Sequence, residues 1–158
     1  MIWFKSRKEK QTEAKIKSFV FQVKQILEES LQIISSTKNI KTGVGRFETI
    51  KTLLQRLLDE IPKGEIKKYM VEFSINNQSI KSYNDLKIVD DAKDQWVEKM
   101  IFGQIENEKR KADALTDKKL KKQQMKKVLA VALKGLDFLS DNKELKIKIT
   151  NIESEIKN

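Results

Sequence analysis

Apolar residues recur every three or four positions along most of this chain, which is the pattern of amphipathic helices. A first helix is predicted from about Ser6 to Ile34, and a second from about Arg46 to Ile61. Pro62 ends the second helix because the residue before a proline disfavours helical geometry. The segment from Ser35 to Gly45 contains two of the chain's five glycines and is predicted to be a loop or a broken turn. Two amphipathic helices joined by such a connection are expected to form an antiparallel hairpin.

The segment from Lys63 to Ile88 fits two patterns. Alternating apolar residues are typical of a half-buried strand, and the Asn76-Asn77 pair suits a hairpin turn; the alternating residues are Tyr69, Val71, Phe73 and Ile75. A second, overlapping set recurs at helical spacing and comprises Ile66, Tyr69, Met70, Phe73 and Ile80. Because one isolated hairpin in a helical chain has marginal stability, we predict helix rather than hairpin over residues 66 to 83.

Helical periodicity returns in the second half of the chain. Helices are predicted from Asp90 to about Ala114 and from about Thr116 to Leu139, with a last helix that carries Leu145, Ile149, Ile152 and Ile156. Gly103 and Gly135 fall inside these helices, where we expect them to allow close helix approach, and Trp96 is expected in the core. The predicted fold is therefore an all-α bundle of five or six helices that forms a single domain over residues 1 to 158.

A lysine-dense stretch from Glu106 to Lys127 interrupts the apolar pattern. Counting back in helical steps from Met125, the core-facing positions are occupied by Lys118, Lys121 and Lys122. On the preceding helix, Ile105 is followed by Glu108, Lys109 and Ala112 where large apolar residues should continue. The loss of apolar positions on both helices predicts an extended basic helical hairpin near residues 105 to 128, or a mobile basic loop.

Composition excludes several kinds of chemistry. The chain has no Cys and no His, which removes disulfides, thiolate catalysis, most zinc sites and the usual general base. No pair of acidic and basic groups converges in the sequence as catalysis would require. We therefore expect a non-enzymatic protein that uses no catalytic residue, no cofactor and no metal.

Charge supplies the candidate binding residues. The formal charge is +10, and only four of the 33 basic residues are Arg. The candidate site for an anion, a nucleic acid or another partner consists of Lys118, Lys119, Lys121, Lys122, Lys126 and Lys127. Lysine is a mobile point charge that attracts anions but lacks the planar fork with which Arg reads base edges. We expect a helical interaction or adaptor protein with a protein partner, and self-association is compatible with its helix faces. The alternative is non-specific nucleic-acid binding through Lys118 to Lys127 and Lys5 to Lys10.

The start of the chain combines Ile2, Trp3 and Phe4 with the basic residues Lys5, Arg7, Lys8 and Lys10. Residues 1 to 10 are predicted to be a basic arm that frays from the first helix. Three apolar residues are too few to hold a protein on a membrane, so we expect them to fold back on the bundle and expect no membrane partner. No stretch reaches the roughly 20 apolar residues that cross a bilayer, and the predicted location is cytoplasmic.

Overall fold

The computed structural model describes residues 6 to 158. The predicted anchor or staple formed by Ile2, Trp3 and Phe4, together with Lys5, lies outside these residues. The described chain contains six α-helices, whose bounds are α1 Arg7–Ser36, α2 Ile40–Glu60, α3 Ile66–Tyr69, α4 Lys87–Asp113, α5 Lys118–Gly135 and α6 Lys143–Lys157. The predicted all-α class is confirmed. None of these described helices is both long enough and apolar enough to cross a membrane.

The chain divides into two compact units, one up to residue 93 and one from residue 94 to residue 158. The division falls inside α4, at a point where neither the composition nor a Pro or Gly marks a boundary in the sequence. The single domain predicted for the whole chain stays a prediction.

In the first unit, α1 and α2 pack against each other. The predicted loop between them is wrong in its extent, because only Thr37, Lys38 and Asn39 connect the helices and residues 40 to 45 are helical. Asn39 caps α2 by accepting a hydrogen bond from the backbone N–H of Thr42 at 3.0 Å. Two glycines in a helix cost about 1 kcal/mol each, and the apolar side of α2, with Phe47 and Ile50 buried, offsets that cost.

The first turn of α1 is capped at Ser6. The Ser6 hydroxyl accepts the N–H of Glu9 at 3.1 Å, and the Glu9 carboxylate accepts the N–H of Ser6 at 3.3 Å. This reciprocal pair is a capping box. The basic residues Arg7, Lys8 and Lys10 of the predicted arm belong to this exposed turn.

The helix predicted over residues 66 to 83 is wrong. The helix α3 ends at Tyr69, and two short antiparallel strands follow, β1 (Ser74–Ile75) and β2 (Gln78–Ser79). Asn76 and Asn77 form the two-residue turn with φ of 51° and 65°, a left-handed geometry that Asn adopts more readily than most residues. The hairpin is not isolated, because Phe73, Ile75 and Ile80 are buried; this burial supplies the stability that two paired strands alone lack.

In the second unit, α5 packs against α6. α5 begins after Asp117 rather than at Thr116, and ends at Gly135 rather than Leu139. The apolar residues that α4, α5 and α6 bury in this unit include Ile101, Ile105, Val128, Ala132, Leu145 and Ile149. Trp96, which was expected in the core, is half-buried.

The two helical glycines differ in their surroundings. A Cβ on Gly135 would lie 2.7 Å from Cγ2 of Ile101 and 3.3 Å from Cδ2 of Leu145. The predicted close approach is therefore confirmed at Gly135. A Cβ on Gly103 would meet nothing within 4 Å, so the same expectation is wrong there.

Candidate partner-binding surface on α5

The six candidate lysines lie together on the first ten residues of α5, and we call them the α5 basic surface: Lys118, Lys119, Lys121, Lys122, Lys126 and Lys127. All six side chains are exposed. The helix begins here because the Asp117 carboxylate accepts the backbone N–H of Leu120 at 3.0 Å, which satisfies a donor that the helix leaves free.

Core packing on α5 starts only after the first four of these lysines. Met125 is the first buried residue of the helix, and residues 118 to 123 are exposed on every side. Lys118 and Lys121 occupy the same helical phase as Met125 yet face solvent. The start of α5 therefore extends beyond the packed part of its own helix, as the helical phase predicts.

On α4 the packing continues further than the apolar pattern indicates. Ala112 is fully buried, and Glu108 and Lys109 are half-buried with polar partners. Lys109 forms an ion pair with Glu155 of α6 at 3.8 Å, and Glu108 accepts a hydrogen bond from Gln124 at 2.7 Å. Polar contacts thus take the place of the missing apolar residues on this helix.

The charges of the α5 basic surface are not neutralised within the described chain. α5 contains no acidic residue, and none of the six lysines lies within ion-pair distance of a described carboxylate. The neighbouring α4 lysines differ, since Lys109 pairs with Glu155 and Lys111 pairs with Glu108 at 3.1 Å. Lys127 acts on Glu108 only at longer range, as one of the cations that lower the pKa of that carboxyl group; hydrogen bonds from Lys111 and Gln124 contribute more.

The position of the lysines also opposes the helix dipole. The amino end of a helix carries a partial positive charge, so acidic residues stabilise it and basic residues destabilise it. Lys118, Lys119 and Lys121 lie at this end of α5, and the first turn has no acidic residue within it. Helix stability therefore does not explain why these lysines are here.

Within this surface, three lysines share one outward face and one apolar side chain is exposed. Lys119, Lys122 and Lys126 recur at i, i+3 and i+7, which spans about 10 Å along the axis. Leu120 stands among the lysines with 51 % of its surface exposed. Leu120 is not among the candidate residues predicted from the sequence. Its separation from the apolar stripe that begins at Met125 nevertheless indicates an apolar side chain outside the core.

A cleft in the first unit lies between the start of α1 and the turn after Pro62. It encloses about 580 Å³, and its lining includes the carboxylates of Glu9, Glu13 and Glu65. Two of these are already engaged: Glu9 in the capping box and Glu13 in ion pairs with Lys17 at 3.3 Å and Lys68 at 3.5 Å. Within residues 6 to 158 no cluster of three acidic side chains has the arrangement of a metal site.

Comparison with protein-family models, with curated proteins and with solved structures found no match to this chain.

Proposed function

We propose that this protein is a non-enzymatic interaction protein that binds an acidic protein partner through the α5 basic surface. One observation carries the proposal: six exposed lysines without an ion-pair partner among the described residues are clustered within ten consecutive residues, whereas Lys109 and Lys111 on the adjacent helix are paired. An acidic partner would neutralise charges that the described chain leaves exposed and that weaken the helix carrying them.

The side chains around the lysines favour a protein partner. Leu120 offers an apolar contact beside these lysines, and buried apolar anchors contribute most to the stability of protein interfaces. α5 carries no aromatic residue on which bases would stack and no Arg, which are the residues that single-strand binding and base reading use.

The proposal is tested by co-purification of the tagged full-length protein, with and without nuclease. The informative variant is the triple charge reversal of Lys118, Lys119 and Lys122 to Glu. Its matched control reverses Lys38, Lys41 and Lys63, which are also exposed and unpaired among described residues but belong to the other compact unit. We expect an acidic protein that survives nuclease and is lost only from the α5 variant, and that is also weakened by Leu120→Ser. Equal loss from both triple variants would contradict the proposal.

Non-specific nucleic-acid binding is the second candidate, favoured by the outward face of Lys119, Lys122 and Lys126. Three unpaired cations over about 10 Å can neutralise several phosphates, and affinity would then fall steeply as salt rises. Electrophoretic shift of DNA and RNA at several salt concentrations tests this function. Charge reversal of the three lysines should lower the salt slope by about one for each lysine, and Leu120→Ser should leave it unchanged. No shift at low salt would exclude this candidate.

The cytoplasmic location belongs to the same proposal. Immunodetection after cell fractionation checks it, and recovery in the membrane fraction would contradict it.

A further inference from the structure

A second surface, on α1 in the other compact unit, is separate from the α5 basic surface. Phe21 lies off the apolar stripe of α1 and is 62 % exposed, and Val71 is 67 % exposed. Phe21 and Val20 line a cleft of about 350 Å³ together with Glu72, the residue that follows Val71. One large apolar side chain, Phe21, thus stands exposed at this cleft, beside the half-buried Val20.

The polar residues of this cleft are balanced in charge. Its lining contains two basic and two acidic residues, Lys17, Lys24, Glu28 and Glu72, together with Gln25. This balance occurs on a chain with a net charge of +10. Two copies of so basic a chain repel each other at most of their surfaces, and a locally neutral surface is where they approach at least cost.

The order of the charges along α1 selects the orientation of a second copy. Lys17 and Glu28 lie eleven residues apart on the same side of the helix, which is about 16 Å along its axis. An antiparallel second α1 brings each Lys17 opposite Glu28 of the other copy, whereas a parallel one brings like charges together. An interface in which the same surface serves both copies requires this self-complementarity.

We propose that this face of α1 is the contact surface of a homodimer in which the two α1 helices run antiparallel. The two-fold axis passes between residues 22 and 23, midway between Lys17 and Glu28. The two Phe21 rings then lie about 4.5 Å apart along the helix axis and pack on each other, with Val20 at the border.

Contacts inside each copy leave the necessary side chains available. Lys24 and Glu72 are hydrogen-bonded to each other and so fix the wall of the cleft. Lys17 contacts Glu13 at 3.3 Å, but Glu13 also contacts Lys68 at 3.5 Å. Glu13 therefore keeps a cationic partner when Lys17 turns towards the second copy.

Analytical ultracentrifugation of the full chain over a range of concentrations at low salt tests the dimer. We expect a monomer–dimer equilibrium in which Phe21→Ala raises the dimer dissociation constant by about 100-fold, because each dimer loses two buried rings. Ile147→Ala removes a side chain that is similarly exposed at 61 % but belongs to the other unit, and should leave the constant unchanged. A monomer at every concentration, or equal effects of the two variants, would overturn the proposal.

Charge exchange tests the antiparallel arrangement. Lys17→Glu and Glu28→Lys should each weaken the dimer, since each places two pairs of like charges across the axis. The double variant, Lys17→Glu with Glu28→Lys, restores opposite charges and should recover the wild-type constant. Failure of the double variant to recover it would rule out this arrangement.

Cross-linking tests the position of the two-fold axis. Because the chain contains no cysteine, a cysteine introduced on α1 can be cross-linked only to the same cysteine of the second copy. Gln25→Cys brings two thiols to within about 8 Å of each other along the axis, whereas Gln32→Cys on the same helix separates them by about 28 Å. A short bismaleimide should join the first variant into a covalent dimer and leave the second monomeric. The reverse result would contradict the position of the axis.

Discussion

The side-chain amide of Gln124 donates a hydrogen bond to Oε2 of Glu108 at 2.7 Å and another to the backbone carbonyl of Glu108 at 3.1 Å. This pair connects α5 to α4 at the point where core packing on α5 begins. Lys111 donates to the other carboxylate oxygen at 3.1 Å. A polar contact therefore fixes the base from which the α5 basic surface extends.

The Glu108 contact makes stability depend on pH. The hydrogen bonds from Lys111 and then from Gln124 hold the pKa of Glu108 below its ordinary value of 4.5. The folded state then binds this proton less readily than the unfolded state, so the free energy of unfolding falls as pH drops from about 4.5 through the lower folded pKa. We expect urea unfolding from about pH 6 to about pH 3 to show a smaller fall in the free energy of unfolding for Glu108→Gln than for the wild-type protein. Glu106→Gln, at an exposed carboxylate of the same helix, should retain the wild-type fall; a full acid dependence in Glu108→Gln would contradict the assignment.

The two helical glycines of the second unit should respond oppositely to alanine. Gly135→Ala introduces a methyl group 2.7 Å from the Cγ2 methyl carbon of Ile101, and such overpacking costs about 1–3 kcal/mol, which exceeds the gain in helix propensity. Gly103→Ala meets no atom within 4 Å and should raise the free energy of unfolding by about 0.5–1 kcal/mol. Chemical denaturation of both variants measures the difference. Stabilisation by Gly135→Ala would show that α5 does not approach Ile101 this closely.

The turn between β1 and β2 should be sensitive to the residue at position 77. Asn77 has a φ of 65°, a conformation that glycine adopts at no steric cost and that alanine disfavours by about 1 kcal/mol or more. Asn77→Gly should therefore raise the melting temperature, and Asn77→Ala should lower it. Thermal unfolding followed by circular dichroism gives the ranking. If Ala is tolerated as well as Gly, the turn does not have this geometry.

Charge reversal at the two ends of α5 should change stability in opposite directions. Lys119→Glu puts a negative charge in the first turn, where it interacts favourably with the helix dipole, and should raise the melting temperature by about 1–3 °C. Lys134 lies in the last turn, so Lys134→Glu should lower the melting temperature. Lys119→Glu should at the same time weaken partner binding, which would separate the requirement for binding from the requirement for folding. A loss of stability in Lys119→Glu would contradict the dipole argument.

The periodicity of the sequence predicts most helices because the signal is local. α1 and α4 fall close to their predicted positions, whereas α2 begins at Ile40 rather than at Arg46. The exposure of Lys118 and Lys121 follows from their phase relative to Met125. Helix is predicted in place of the hairpin at Asn76-Asn77, because the local pattern does not reveal that Phe73 and Ile80 are both buried. The exposure of Phe21 could be predicted from its position off the apolar stripe of α1. Nothing in the sequence indicates the cleft beside Glu72.

Local sequence is sufficient to predict the all-α class, the lack of cysteine and histidine side chains, and the lysines at the start of α5, since helical spacing and residue identity are properties of neighbouring positions. Three relationships require the folded chain: Gly135 meets Ile101, Gln124 donates a hydrogen bond to Glu108, and Phe21 is exposed at a cleft of balanced charge. These relationships join residues that the chain keeps apart, and packing alone determines which of them meet.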